Sequence, residues 1–519
     1  MKATKRILAI MLAVMLTAAL MVIPASAAGD YTVTIESTIP GHTYEIYQIF
    51  KGDLNATGVL THIQWGSGVS ADGKTALGDA DAKAGTLKTP ADAKAFGNQL
   101  TPYLTNPVGT DDYDENKYEF TGLEAGYYLV KDAAANLGEN DAFTKYIIQV
   151  VGNVNMAPKV GTPTLEKLVS RNADSGFTQA VSAATNHEVY FSLTASMHTQ
   201  IENYDKYYLK FTDVMPKGLT YEAVTSVYVT SENDTTQKKP IDAQYYTVTA
   251  GTPDAEGNTT VTIVVDEVKD AIYAATQEAA MPDDKIVVVI KAKLNGNADI
   301  GLPGNTNVAT LQYTNEPNDI SKYQTSLGTA TSSDAIVYTY ELQVKKVDAV
   351  DNTKLLPGAK FVLYHYKNST DIVYVTVDTA TGLVTGTVSA QGDATVVESD
   401  SNGMIYIKGL HSGTYYLKEV APPDGYNLRV EDVAVAINGT LNAATGQLDT
   451  FTANATHATG APIVDKNAGT IQVTIGNRAG ATLPETGGIG TTIFYVLGAV
   501  LVIGAAAVVV MKKRNGEQA

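Results

Sequence analysis

Apolar and polar residues alternate with period two through most of this chain, as in "DYTVTIESTIPGHTYEIYQIF", "YYTVTAGTPDAEGNTTVTIVVDE" and "YELQVKKVDAVDNTKLLPGAKFVLYHY". Tyr, Val, Thr and Ile fill the alternating runs, and Gly, Asn and Asp break them at short intervals. That pattern predicts strands joined by tight turns, and hence an all-β chain of tandem β-sandwiches. Helical spacing is local: "TPADAKAFGNQLTPYL" in the first third and "DEVKDAIYAATQEAAM" in the second. Pro/Gly-rich residues 158 to 163 and the small-residue run "SLGTATSSDA" (326 to 335) read as linkers. They divide the body into units at 28–158, 159–330 and 331–480. An internal echo relates the outer two: "GLEAGYYLVKD" (Gly122 to Asp132) aligns without gaps on "GLHSGTYYLKE" (Gly409 to Glu419), and "GHTYEIY" (Gly41 to Tyr47) on "GAKFVLY" (Gly358 to Tyr364).

The two ends depart from the alternation. Residues 1–27 carry a basic head (Lys2, Lys5, Arg6), an apolar run and small residues at Ala25-Ser26-Ala27, the pattern of a signal peptide cut between Ala27 and Ala28. An apolar stretch over 489–511 is long enough to cross a bilayer. Lys512, Lys513 and Arg514 follow it in a short cytoplasmic tail, 512–519. Just before the span, at 483–487, Leu483-Pro484-Glu485-Thr486-Gly487 resembles the sorting signal of Gram-positive wall proteins, which a membrane sortase cuts between Thr and Gly. The resemblance implies an acyl intermediate at Thr486, resolved by an amine. A peptidoglycan amine gives a wall-anchored monomer, and a lysine of another copy gives a polymer.

Composition narrows the function further. The chain carries −18 overall; without the three positive charges of residues 1–27 and the net two of residues 487–519, the mature body carries −23. Such a surface argues against nucleic acid or an anionic membrane as partner. There is no cysteine, so an exported chain has no disulfide to hold it. The seven histidines lack metal-ligand spacing, no G-x-S-x-G or H-E-x-x-H motif occurs, and the acidic turns "DDYDEN" and "ESDSNG" do not fit the EF-hand loop. No enzyme activity, metal or cofactor is expected.

Strand phase does bring polar residues inward. In "ELQVKKV", Lys346 shares a face with Leu342 and Val344; in "YYLKE", Glu419 shares one with Tyr415 and Leu417; in "IQVTIGN", Asn477 shares one with Ile471, Val473 and Ile475. A core that receives a lysine, a glutamate and an asparagine is stable only if they meet. Burial then lowers the amine pKa and raises that of the acid. The product of amine attack on the carboxamide, with ammonia leaving, is a Lys–Asn isopeptide. Residues 336 to 478 also resemble the collagen-adhesin B-type domains of Gram-positive surface proteins, in "KVD" (346 to 348), "LPGAKFVLY" and "YYLKEVAPPDGY". That resemblance implies a bond from Lys346 to Asn477 assisted by Glu419.

The second unit has the same logic in "LEKLV", "LKFTD" and "NVATLQY". It resembles the middle, Ig-like isopeptide domain of fimbrial shaft proteins, including "FTDVMPKGLTY" and "NVATLQYTNEPN". The resemblance assigns Lys167 to Asn307 with Asp213 as the acid. Asn305 and Asn315 lie in the same phase, so spacing leaves three asparagines open. In the first unit Asp132 aligns with Glu419, but no lysine precedes Lys51 after the signal peptide, so no bridge from a first strand is expected there. Two ammonia losses are expected in the mature chain.

In this order of parts the chain resembles a sortase-assembled backbone pilin of Gram-positive fimbriae. In that family a pilin lysine closes the first domain after Val-Tyr-Pro; here Val154-Asn155-Met156-Ala157-Pro158-Lys159 keeps Val, Pro and Lys. The resemblance implies a shaft subunit joined through Thr486 to Lys159 of the next copy, with Lys131 and Lys145 as rival amines. Implied partners are pilin-specific and wall-anchoring sortases, other copies of itself, minor pilins, peptidoglycan, and a host or bacterial surface ligand that no motif identifies. A monomeric wall-anchored adhesin with the same domains is the alternative.

Overall fold

A computed structural model describes residues 31–36, 40–55, 57–112, 114, 116–133, 143, 145–156, 161–231, 233–317, 320–368, 370–480 and 489–515. The expected signal cleavage at Ala27 and Ala28, the expected pilin lysine Lys159 and the sorting motif Leu483 to Gly487 lie outside the described residues. The described body is built of strands paired into six sheets, two to a unit.

In the first unit the strand Tyr31–Glu36 pairs antiparallel with Lys117–Leu123 and parallel with Val154–Met156. Facing it is a sheet ordered Leu60–Trp65, Thr43–Leu54, Gly126–Asp132, Lys145–Val150, with Gly109–Asp112 added on Thr43–Leu54. Val33, Ile35, Tyr44, Ile46 and Tyr118 fill the space between them. The other face of the second sheet is also apolar (Tyr47, Ile49, Leu129) and is covered by a helix carrying Phe96 and Leu100. A bulge between Gln48 and Phe50 lets one strand supply both layers.

The helix Pro90–Leu100 has Pro at its start and a reciprocal Thr89–Asp92 capping box, so its N-terminal backbone donors are met locally. It accounts for the first helical pattern, and Val268–Thr276 for the second. Ala71–Leu77 and Ala80–Ala84 have no counterpart in the periodicity because they span two turns or fewer. Each is started by a cap, Ser70 and Asp79 respectively.

In the second unit one sheet runs Asp234–Pro240, Leu219–Ser231, Asp284–Leu294, Glu188–Ser196, Leu165–Ser170. The other runs Ala180–Ser182, Ala335–Tyr338, Asn305–Thr314, Leu209–Met215, Thr259–Val265, Thr247–Ala250, with Leu327–Thr331 on Asn305–Thr314. Ala335–Tyr338 lies beyond the expected boundary at residue 331, yet it pairs in this sheet. Its period-two geometry serves two cores: Ala335 and Val337 pack in the second unit, Ile336 and Tyr338 in the third.

The third unit has a four-stranded sheet, Met404–Leu410, Tyr340–Asp348, Thr470–Asn477, Ile463–Asp465. It faces a sheet ordered Val384–Val388, Ile372–Val377, Lys360–Tyr366, Gly413–Ala421, Val433–Leu441, Leu448–Thr456, with Val397–Glu398 at its side. As in the first unit, the first and last strands are parallel neighbours. The internal echo also holds in register, since Tyr44 stands opposite Asp132 and Phe361 opposite Glu419. Where the second and third units meet, Gly301 and Gly469 approach so closely that a Cβ on either would strike the other's backbone. Beyond the body, Ile489–Asn515 is one helix whose segment Phe494–Met511 has a mean hydropathy of 2.6, apolar enough to cross a membrane.

Candidate amine and carboxamide sites

In the third unit the parallel register sets Lys346 beside Ile475 and Asp348 beside Asn477. Lys346 and Asn477 therefore sit on adjacent strands, two residues apart along them. Both side chains turn into the sandwich, 0% and 1% exposed. Lys346 Nζ donates to Asn477 Oδ1 at 2.8 Å and to the Ile475 carbonyl at 3.1 Å. From the facing sheet Glu419 accepts twice from Asn477 Nδ2, at 3.0 Å and 2.8 Å. The three residues singled out by phase are thus brought into one chain of contacts.

Two further residues hold the acid and amide in place. The backbone N–H of Arg429 donates to Glu419 Oε2 at 2.9 Å, and the Asn427 carbonyl accepts from Asn477 Nδ2 at 3.0 Å. The Arg429 guanidinium binds the carbonyls of Gly476 and His457. These contacts pin the 427–429 loop to the end of the last strand. No periodic signal marks these residues, because they act from a loop.

Burial pushes the Lys346 amine down to about 8, against the opposing pull of Glu419, while the Arg429 charge adds to the lowering. An amine of that kind is partly neutral at physiological pH and lies one hydrogen bond from a carboxamide. Attack of Nζ on Cγ and departure of Nδ2 as ammonia needs one amine hydrogen to reach the leaving nitrogen. Glu419 contacts that nitrogen with both oxygens and is placed to carry the proton. Any bond formation here should accelerate as pH rises from 6 to 8, roughly tenfold per unit at first, and level off above 8 as the amine becomes fully neutral. Mass spectra of freshly synthesised chain refolded at a series of pH values would measure this.

In the second unit Lys167 Nζ lies 2.7 Å from Asp213 Oδ2, both side chains wholly buried. Nζ also stands over the Phe191 ring at 5.4 Å. Burial lowers the Lys167 amine, and the Asp213 carboxylate opposes this. Asn307 is 0% exposed, and among the described residues neither polar atom of its carboxamide has a hydrogen-bond partner; the second Asp213 oxygen has none there either. Leaving such groups unmet ordinarily costs about 1–3 kcal/mol each.

The rival asparagines are otherwise engaged. Asn305 accepts from the Asp299 N–H and donates to the carbonyls of Asp299 and Val337. Asn315 Oδ1 accepts from Ser326 Oγ at 2.8 Å. A substitution pair separates these roles. Asn307→Ala should abolish any ammonia loss in this unit, whereas Asn305→Ala should keep it and lower stability by about 2 kcal/mol through lost turn contacts, as read by denaturant unfolding.

In the first unit Ile35 pairs with Tyr118 as Val344 pairs with Ile405, so the strand Tyr31–Glu36 stops one residue short of the place of Lys346 and carries no lysine. The buried Asp132 is paired with His42 at 2.6 Å instead. His42 aligns with Ala359 of the third unit. Among the described residues no group of three His, Cys, Asp or Glu side chains is placed to hold a metal.

Comparison with known proteins gives matches to two stretches of the chain. Residues 340–448 match the model of a prealbumin-like fold domain, and residues 477–517 match the LPXTG cell wall anchor motif. The trypsin-resistant surface T6 protein of Streptococcus pyogenes serotype M6 is 25% identical over 280 residues, covering 43% of this chain and 48% of that protein. The chain thus spans about half the length of that curated relative. Among solved structures, the T6 backbone pilin of serotype M6 Streptococcus pyogenes superposes with a TM-score of 0.49 at 17% identity, over 88% of this chain and 100% of that one. The major pilin SpaD of Corynebacterium diphtheriae does so with 0.45 at 18% identity, over 88% and 99%. The chain carries a prealbumin-like domain followed by an LPXTG anchor and an apolar helix, the C-terminal arrangement of a cell-wall-anchored surface protein.

Proposed function

We propose that this chain is the shaft subunit of a covalent Gram-positive pilus, a structural protein rather than an enzyme. A sortase cuts after Thr486 and joins it to Lys159 of the next copy, while Lys346–Asn477 and Lys167–Asn307 isopeptides stiffen each subunit. The observation that carries this reading is the buried Lys346–Asn477–Glu419 chain of contacts between the first and last strands of the unit that leads into the anchor. Similarity to a T6 surface protein and to backbone pilins supports the same class.

Tension explains the placement. In a shaft, force enters at Lys159 and leaves at Thr486. The Lys346–Asn477 bond ties adjacent parallel strands, so load crosses the third unit without pulling its sheets apart. Lys167 and Asn307 lie on strands at the two ends of the second unit's sequence and serve the same purpose there. The first unit lies upstream of Lys159 and hangs outside that path, consistent with the absence of a lysine from its strand Tyr31–Glu36. Pilin-specific and wall-anchoring sortases, minor pilins and peptidoglycan are the partners this assembly requires. Immunoblots of wall extracts test it: a ladder of SDS-resistant multimers supports the shaft, and a single band supports a wall-anchored monomer.

A further inference from the structure

The junction of the first two units repeats the contact pattern of the third unit's site, with residues from three separate segments. Asn98 lies on the helix Pro90–Leu100, held to the sheet by buried Phe96 and Leu100. Lys145 opens the strand Lys145–Val150 beneath that helix. Its Nζ donates to Asn98 Oδ1 at 2.8 Å, the distance between Lys346 and Asn477. Asn98 Nδ2 donates in turn to Asp205 Oδ2 at 3.0 Å. Amine, carboxamide and carboxylate therefore stand in the same order as Lys346, Asn477 and Glu419.

The amine end of this chain of contacts is part-buried, while Asp205 is 43% exposed and held in place by its neighbours. Asp205 belongs to the second unit, and its other oxygen is held by Lys94 Nζ at 2.8 Å, while Lys94 also donates to the Glu202 carbonyl. Phe143 N–H donates to the Asn315 carbonyl nearby, closing the two units on each other. Burial at this junction lowers the Lys145 amine to about 8, with Glu316 and Asp205 opposing and Lys131 and Lys94 adding. Lys346 is lowered to about the same value by the same main cause.

We propose that Lys145 and Asn98 form a further isopeptide bond, with Asp205 of the neighbouring unit as the proton carrier. Nζ attacks Cγ of Asn98, the Cγ–Nδ2 bond breaks, and one amine hydrogen passes by way of the carboxylate to Nδ2, which leaves as ammonia. No oxidant or other co-reactant is needed. The bond staples the covering helix to the edge strand inside the first unit. Because the acid comes from the second unit, it forms only when the two are docked. It also consumes Lys145, removing one rival to Lys159 as the amine that joins subunits.

The chemistry is that of the sites proposed above, but no residue is shared, so the two readings fail separately. The test is peptide mapping of the full mature chain after incubation at pH 8. A branched peptide joining the segments of Lys145 and Asn98, lighter by one ammonia (about 17 Da), is expected. Asp205→Asn should slow its formation roughly a hundredfold while the Lys346–Asn477 peptide still forms, which also reports that the variant has folded. Unjoined Lys145 and Asn98 peptides from a chain already joined at Lys346 and Asn477 would overturn the proposal. Undiminished joining in Asp205→Asn would overturn the role of Asp205.

Discussion

Glu419→Ala is expected to leave Lys346 and Asn477 as separate side chains and to lower the melting temperature of the third unit by on the order of 15 °C. The size follows from the loop that the bond would close, between residues 346 and 477. Closing a loop of that length removes about 5 kcal/mol of conformational freedom from the unfolded chain, and a unit of this size loses a few degrees per kcal/mol. Glu419→Gln is the sharper variant, because it keeps the shape of the side chain but cannot relay a proton to Asn477 Nδ2. Both variants should retain the full ammonia mass at this site. Calorimetry and intact mass, taken together, would reveal a bond that forms without the acid.

Lys159→Ala is expected to abolish the ladder of SDS-resistant multimers in wall extracts and leave a single wall-linked band. Here the effect is all-or-none, since each junction needs one acceptor amine. Lys145→Ala should leave the ladder in place, because the Lys145 amine is turned to Asn98 at the junction of two units. A ladder that survives Lys159→Ala and disappears in Lys131→Ala would move the acceptor to Lys131.

Much of the third unit's site was legible in the sequence because its residues lie on strands, where a period of two dictates which side chains share a face. Lys346, Glu419 and Asn477 each follow an apolar in-phase run, and burying three polar groups in one sandwich demands that they meet. Phase could not choose among Asn305, Asn307 and Asn315, since all three are separated by even numbers. The choice needs the hydrogen bonds that engage Asn305 and Asn315 and leave the Asn307 carboxamide unmet. The sharing of Ala335–Tyr338 between two cores was hidden for a related reason: both faces of that strand are apolar, so the alternation that marks a one-sided strand is missing. Lys145, Asn98 and Asp205 come from a strand, a helix and a loop. No single period relates such elements, and only their packing brings them together.

The similarity at the register of Asp132 and Glu419 shows how one scaffold accommodates two solutions for a buried carboxylate. In the third unit the acid faces a carboxamide and an amine. In the first, His42 Nδ1 lies 2.6 Å from it, and the strand Tyr31–Glu36 carries no lysine. Removing the partner of either acid would leave a buried polar group unmet, a loss of about 1–3 kcal/mol.

The central claim is that subunits are joined covalently from Thr486 to Lys159. Peptide mapping of polymer released from the wall tests it most directly. A branched peptide in which the Thr486 carboxyl is bonded to Lys159 Nζ is the predicted result; Thr486 found only on peptidoglycan fragments, with every Lys159 free, would contradict it.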